Sequence, residues 1–386
     1  MQPRDLTVDD LDAVIDVRAR SIGLMAPGSR EEWLRGARTA VAERRLIGVF
    51  DGDRLVSAAR VWDFTQWWCG RQVPMGGIGG VVVDPEYRGR GVASRLMGAL
   101  LHRCQERGLM LSALFPAAVP VYRKLGYEFG GGRHRYSFLA DELRRLGGGD
   151  APLRRATPDD AALLLDLVTQ VRAQGAESGP VGWPQAEVRE WLGEEDTFAY
   201  VADDGFVVYR WEGSDLQVDE LVAGTETTAR TLWSIVGSGA SIARTVHAYL
   251  APYDPIHLML GREAAKATEQ QRWMLRLIDA PGALAARGWP PGAALDLPIE
   301  VSDAEIPANA GRWQLHVADG LGSLDADPGA GRDRLRLSSR GLAALYAGTP
   351  MATLRVAGIA TGGTADADRR IDAAFGGPAA FMLDYL

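Results

Sequence analysis

Apolar positions recur first at helical and then at alternating spacing, and each change of period marks an element. Leu11, Val14, Ile15 and Val17 fall on one face after Thr7, a hydroxyl suited to capping, and the acidic Asp9 and Asp10. That pattern predicts a helix over 7–21. A second helix is read over 29–42. Strands follow at 45–51, 54–63 and 70–83, with Asp51-Gly52-Asp53 as the turn between the first two. The β-branched run Val81-Val82-Val83 ends at Asp84-Pro85, and the helix beyond it aligns Val92, Leu96, Met97, Leu100, Leu101 and Cys104 on one broad face. A strand at 109–115, a short helix at 119–124 and a last strand to about Leu139 complete an alternating α/β unit.

The plan then restarts. Leu146-Gly147-Gly148-Gly149-Asp150 reads as a linker, and Leu153-Arg154-Arg155-Ala156-Thr157-Pro158-Asp159-Asp160 with a helix to Arg172 echoes the opening Leu6-Thr7-Val8-Asp9-Asp10. The strand from Leu216 to Val222 leads through Thr225-Glu226 into a helix over 227–236. From Gln271 the texture changes again. A strand at 272–279 and a helix at 282–287 precede strands at 294–301, 311–317 and 334–338, a helix at 339–347 and a strand at 352–356. The expected division is 1–148, 149–270 and 271–386, which suits 386 residues, since single cores rarely grow past roughly 250–300 residues.

The hydrophobic content of 47% and charged content of 24% describe an ordinary globular chain. The opening residues lack a basic region followed by an apolar stretch, and the uncharged run 108–122 is interrupted by Pro116 and Pro120. No signal peptide and no membrane partner are expected. Cys69 and Cys104 make no disulfide framework, so a cytoplasmic location is expected. A net charge of −8 argues against nucleic acid. The histidines, His102, His134, His247, His257 and His316, lack metal-ligand spacing, so no metal is expected.

The loop between strand 70–83 and the helix from Val92 carries the chemistry. Arg88-Gly89-Arg90-Gly91-Val92-Ala93-Ser94 joins a strand end to a helix N-terminus, where backbone N–H groups and the helix dipole favour an anion. It lacks the lysine of a Walker loop and the third glycine of a dinucleotide fingerprint. A tight turn without a ligand is the alternative. Arg88-x-x-Gly91-x-Ala93 resembles the acyl-CoA pyrophosphate loop of the GNAT superfamily of N-acetyltransferases. In the second unit the matching loop is Ala223-Gly224-Thr225-Glu226. A glutamate there repels a pyrophosphate by on the order of 1 kcal/mol per exposed like-charge contact, as in a copy that lost its cofactor site.

Two tandem GNAT folds, the second degenerate, followed by a sterol-carrier-protein-like α+β domain resemble the Eis (enhanced intracellular survival) family. The resemblance rests on Arg71-Gln72-Val73-Pro74-Met75-Gly76-Gly77-Ile78-Gly79-Gly80-Val81 with its loop, on Val121-Tyr122-Arg123-Lys124-Leu125-Gly126-Tyr127, on Arg272-Trp273-Met274-Leu275-Arg276, and on Phe381-Met382-Leu383-Asp384-Tyr385-Leu386. It implies transfer of acetyl from acetyl-CoA to a primary amine by direct attack in a ternary complex. The acceptors it implies are aminoglycoside-like cations, lysine side chains or polyamines. It also implies a homo-oligomer, a hexamer, and a tail domain that helps build the active site.

Acetylating an amine requires losing an ammonium proton, polarising the thioester and protonating a thiolate. The acid implied is Tyr122, with aromatic packing on the cofactor as the alternative; Arg123 and Lys124 are expected to lower its pKa. Tyr127 is expected in the core and Asp84 in the turn. The base implied is the carboxyl group of Leu386, with an intrinsic pKa of about 3.3–3.7; a merely buried terminal strand is the alternative. Amides of Val81, Val82 and Val83 are expected to hold the pantetheine, and 88–94 the pyrophosphate. Trp33, Trp62 and Trp67 fall in the region that forms the amine pocket in the family. The chain departs from aminoglycoside-modifying members, which have an acidic residue before the last one: here Tyr385 stands there, with Asp384 one place back. A non-catalytic acyl-CoA sensor or lipid-binding module on the same fold is the second hypothesis.

Overall fold

The computed structural model describes residues 1–386 except Pro27, Gly148, 261–265, Pro328 and 330–333. The first unit runs β1 (Gln2–Asp5), α1 (Leu11–Ile22), α2 (Ser29–Ala42), β2 (Leu46–Asp51), β3 (Arg54–Trp68), β4 (Arg71–Val83), α3 (Val92–Glu106), β5 (Leu111–Leu114), α4 (Val119–Lys124), β6 (Glu128–Leu139) and α5 (Ala140–Arg144). The second holds β7 (Arg154–Arg155), α6 (Ala161–Gln174), β8 (Val181–Gly182), α7 (Gln185–Trp191), β9 (Phe198–Ala202), β10 (Gly205–Glu212), β11 (Asp215–Ala223), α8 (Glu226–Gly237), β12 (Thr245–Tyr249), α9 (Ile256–Met259) and β13 (Lys266–Leu277). The third adds α10 (Ala280–Ala286), β14 (Leu295–Ser302), β15 (Gly311–Ala318), β16 (Leu321–Ala326), β17 (Leu335–Ser338), α11 (Ser339–Tyr346), α12 (Met351–Val356), β18 (Ala360–Thr361) and α13 (Ala365–Phe375).

The repeat is visible atom by atom. Arg4 pairs with Asp10, whose carboxylate accepts the Thr7 N–H at 2.8 Å; Arg154 pairs with Asp160, whose carboxylate accepts the Thr157 N–H at 2.8 Å. The arginine hydrogen bond is the main reason that both carboxyls are held down at about 2. Topology repeats as well: β4 runs parallel to β5 and β11 parallel to β12.

The two units share one open sheet in the order β1-β2-β3-β4-β5-β13-β6-β12-β11-β10-β9-β7, while the third forms a separate sheet in the order β16-β15-β14-β17-β18. β13 straddles the expected boundary at 270/271. Met274 faces Leu114 of β5 on one side and Phe129 of β6 on the other. Trp273 is fully buried there and meets Trp68, which also touches Tyr346 of the third unit at 4.8 Å.

One segment differs in kind from the sequence reading. Residues 352–356 lie in helix α12 and form no strand. Pro350 stands at the N-cap with extended backbone, and the buried residues are Met351 and Leu354, a helical spacing. Helix α13, unread in the sequence, is capped by Thr364 and buries Ala367, Ile371 and Ala374.

A buried ion pair ties the third unit to the shared sheet. Arg276 of β13 donates to Asp303 at 2.6 Å, both side chains 1% exposed, and Asp303 also accepts the Glu305 and Ile306 N–H groups. Asp303→Ala leaves that guanidinium uncompensated in the interior. It is expected to lower unfolding free energy by about 3–5 kcal/mol, read from urea denaturation.

Candidate active site

β4 and β5 pair only from Met75–Gly77 against Leu111–Ala113. Beyond Gly77, β4 stays hydrogen-bonded to β3, but among the described residues no strand covers its other edge. Two residues of β4, Gly80 and Val81, bulge opposite the single Ala59, and Gly80 takes a φ of +61°. A bulge re-aims backbone groups out of the ladder. The result is a fork with exposed main chain on one prong.

Val81, Val82 and Val83 line that prong through their backbone, because their side chains are committed elsewhere. Val82 packs among α1 and α2, and Val81 and Val83 pack toward α3. Some carbonyls are already used: Ser57 donates to Val82 at 2.6 Å and Ser21 to Val83 at 2.8 Å. Asp84, 1% exposed, pairs with Arg20 and Arg54 and shapes the turn that follows.

At the end of the prong, Gly89 and Gly91 adopt φ of +75° and +76°, and a Cβ on either would meet nothing within 4 Å. Gly91 is the N-cap of α3 with no side chain bonding the helix end. The N-terminal amides are thus free of any side-chain cap, with the exposed Arg88 and Arg90 beside them. Arg88 also donates to the Ser21 carbonyl at 3.0 Å, which fixes the loop against α1. Val92 is buried, and Ala93 and Ser94 are half-buried in the first turn. A helix start of this kind suits an anion. The equivalent point in the second unit is closed. Thr225 caps α8, Asp204 takes the Gly224 N–H through its carbonyl and the Thr228 hydroxyl through its side chain, and Glu226 occupies the first turn.

The Leu386 carbonyl carbon and oxygen lie inside the fork. A Cβ on Gly79 would stand 2.9 Å from the Leu386 carbonyl carbon and 2.8 Å from the Trp62 ring; one on Gly77 would stand 3.2 Å from the Leu386 side chain. Glycines in the middle of β4 thus admit a chain end and an indole. Arg60 stacks on Trp62 at 4.6 Å, and burial, with Arg45 nearby, pushes its guanidinium down to about 10. Phe64 touches Trp183 edge-on at 4.8 Å, and Trp183 donates to Asp384 at 3.1 Å. Burial, reinforced by Glu220, pushes the Asp384 carboxyl up to about 6. Phe64, Trp183 and the glycine pocket were not singled out from the sequence.

Tyr122 is 5% exposed on α4, and no hydrogen bond to its hydroxyl is present among the described residues. Its pKa is raised, first by burial and then by Tyr385, which itself stacks on Phe115 at 4.6 Å. The expected lowering by Arg123 and Lys124 does not occur. Arg123 pairs with Glu128 at 2.7 Å, Glu128 also holds Arg340 of the third unit, and Lys124 is exposed. Tyr127 is fully buried and hydrogen-bonded with Ser112 at 2.7 Å.

Of the three tryptophans, Trp62 adjoins the Leu386 carboxyl group. Trp33 is half-buried against the α1/α2 core. Trp67 has no surface to offer a substrate: it is 2% exposed and packs with Leu164, Leu167 and Phe206 of the second unit. The alternation of β3 sends it to the opposite face from Trp62 and Phe64. Among the described residues no cluster of histidine, cysteine and carboxylate side chains could hold a metal ion, and no helix is long and apolar enough to cross a membrane.

Comparison with known proteins agrees with this architecture. The chain matches an acetyltransferase (GNAT) domain over residues 2–130, a second acetyltransferase (GNAT) domain over 179–277 and a sterol carrier protein domain over 280–383. It is 30% identical over 373 residues to an uncharacterized N-acetyltransferase of Streptomyces avermitilis, covering 89% of each chain. It is 27% identical over 388 residues to N-acetyltransferase Eis of Mycobacterium tuberculosis, covering 91% of this chain and 93% of that one. The crystal structure of a GCN5-related N-acetyltransferase from Kribbella flavida superposes with a TM-score of 0.97 at 57% identity, over 100% of this chain and 98% of that one. Identity at that level over nearly the full length makes the chain a member of the Eis-like GCN5-related N-acetyltransferases, acyltransferases that use acetyl-CoA and act on amines.

Proposed function

We infer that the chain acetylates a primary amine of a cationic small molecule, aminoglycoside-like, or of a lysine or polyamine, by direct attack on acetyl-CoA in a ternary complex. The observation that carries this reading is the Leu386 carboxyl group against Gly79, where β4 parts from β5. Acetyl-CoA then runs along the prong, with pantetheine on the amides of Val81–Val83. Its pyrophosphate sits on 88–94, held by backbone N–H groups and the guanidiniums of Arg88 and Arg90. The thioester then lies between the Leu386 carboxyl group and Tyr122.

The acceptor enters past Trp62 and the Trp33 side of the cleft, where indole faces suit a cation. An alkylammonium with pKa about 10.4 arrives charged. The Leu386 carboxylate takes its proton, directly or through one water, and the neutral amine attacks the thioester carbon. Tyr122, kept neutral by burial, hydrogen-bonds the departing sulfur and gives it a proton as the C–S bond breaks; the second proton, shed by the newly acylated nitrogen, restores the phenol through water. A dry site raises the thiol's pKa too, which favours that transfer.

The test is CoA-thiol release by protein ending at Leu386, with acetyl-CoA and a panel of aminoglycosides, polyamines and lysine peptides. Turnover on at least one class is expected. Tight acetyl-CoA binding in calorimetry with no turnover on any amine would favour the acyl-CoA sensor.

A further inference from the structure

The geometry points to a task for the degenerate second unit: the turn Glu177–Gly179 and Trp183 position the C-terminal segment, and through it the Leu386 carboxyl group. It rests on the reading of that carboxyl group as the base.

The turn is first bound to the catalytic unit. Gly70 donates its N–H to the Glu177 carbonyl at 3.0 Å, Gly179 to the Trp67 carbonyl at 2.7 Å and Trp67 to the Pro180 carbonyl at 2.9 Å. The Cys69 N–H reaches the Ser178 hydroxyl at 2.9 Å, and the Gln66 side chain donates to the Gly179 carbonyl at 2.8 Å. Strand β8 then pairs with Thr65 and Gln66 of β3. Behind the turn, buried Arg172 holds Glu177 at 3.1 Å and Glu220 at 2.6 Å.

The opposite side of the same segment grips the tail. Phe381 donates its N–H to the Ser178 carbonyl at 3.0 Å, and Trp183 donates to Asp384 at 3.1 Å. Gly179 has a φ of +106°, and a Cβ there would lie 2.2 Å from the Phe381 carbonyl oxygen, so no other residue fits without moving the tail. The second wall is β6. Gly132 accepts the Met382 N–H at 3.0 Å and Arg133 donates to the Leu383 carbonyl at 2.7 Å. Every residue from Ala380 to Asp384 is therefore held, and only Tyr385 and Leu386 extend beyond.

Two extended residues reach at most about 7 Å. Whatever fixes Asp384 therefore sets where the last two residues start, which the Tyr385 stack on Phe115 and the packing of Leu386 at Gly77 and Gly79 then complete. An error of about 1 Å at a reacting group can cost roughly 100-fold in rate.

The experiment compares the full chain with Gly179→Ala, Trp183→Phe and, as a control, Gly213→Ala. Gly213 also has a positive φ, +65°, and open space around it, so that change places a side chain on a left-handed residue away from the tail. Hydrogen exchange at the Phe381 and Met382 amides reads the tail directly, and kcat and the KM for acetyl-CoA read the reaction. Gly179→Ala is expected to expose both amides and lower kcat by about 10- to 100-fold with KM for acetyl-CoA unchanged. Trp183→Phe keeps its ring on Phe64 and serves if Gly179→Ala fails to fold; it is expected to do the same to a smaller degree. Gly213→Ala is expected to do neither. Tails as protected in both variants as in the parent would overturn the inference, and so would loosened tails with unchanged kcat. A chain with one residue appended after Leu386 separates the two readings. If it turns over normally, the terminal-base reading fails, while the exchange data still decide whether the turn holds the tail.

Discussion

Appending a single glycine to Leu386 is expected to lower kcat by about 10²–10⁴-fold, the contribution of a positioned general base, with the Kd for acetyl-CoA nearly unchanged. The added peptide bond converts the carboxylate into an amide, which cannot take a proton from an ammonium. It also puts an added residue beside Gly79 and Trp62, in the space proposed for the amine and the thioester. The cofactor loop lies at the far end of the prong and is untouched. Steady-state kinetics with calorimetric titration of acetyl-CoA separates these effects. The pH profile adds an independent reading. The Leu386 carbonyl, now an amide, no longer titrates, so an acid limb of kcat/KM set at that position should vanish or shift, the only new acid being the glycine carboxyl one residue further on. An extended chain with unchanged kcat would remove Leu386 from the mechanism.

Tyr122→Phe is expected to lower kcat by about 10²-fold or more while acetyl-CoA binding and fold are kept. The substitution removes one hydroxyl that, among the described residues, makes no hydrogen bond, so folding loses little with it. The direction of its pKa fixes the pH behaviour. Burial and Tyr385 raise it above the usual value for a phenol, so the proton stays on the hydroxyl throughout the neutral range. Loss of the hydroxyl should therefore lower the plateau of the pH profile and leave the limbs in that range in place. A basic limb near neutrality that disappears in the variant would contradict the assignment. Unchanged turnover would make Tyr122 a packing residue.

Local elements with strong punctuation were legible. Helices 29–42 and 119–124 fall where their spacing put them, and the Arg-Thr-Asp signature at the start of each unit is the same interaction built twice. The form of the loop at 88–94, two left-handed glycines at a helix start, was readable because its signal lies close in sequence. Misreadings came where a distant neighbour decides. Trp62 and Trp67 are equivalent in composition, and only the facing of β3 sends one to the Leu386 carboxyl group and the other into the second unit. Arg123 was expected to act on its neighbour Tyr122, but Glu128, itself pinned by Arg340, draws it away. The run Gly76-Gly77-Ile78-Gly79-Gly80 held an unread clue: side chains are missing from a strand where another part of the chain must come close. Residues 352–356 look apolar and β-compatible, yet Pro350 and the Met351/Leu354 spacing select a helix.

The placing of β13 has a consequence for synthesis. β6 leaves the ribosome more than a hundred residues before either of its sheet neighbours, β12 and β13. At about 5–20 residues per second the nascent first unit waits on the order of ten seconds with β5 and β6 lacking the strand that joins them. Its bare strand edges are open to wrong partners in that interval. The first unit is thus translated first but completed late, and the second acetyltransferase-type unit supplies the strand that closes it.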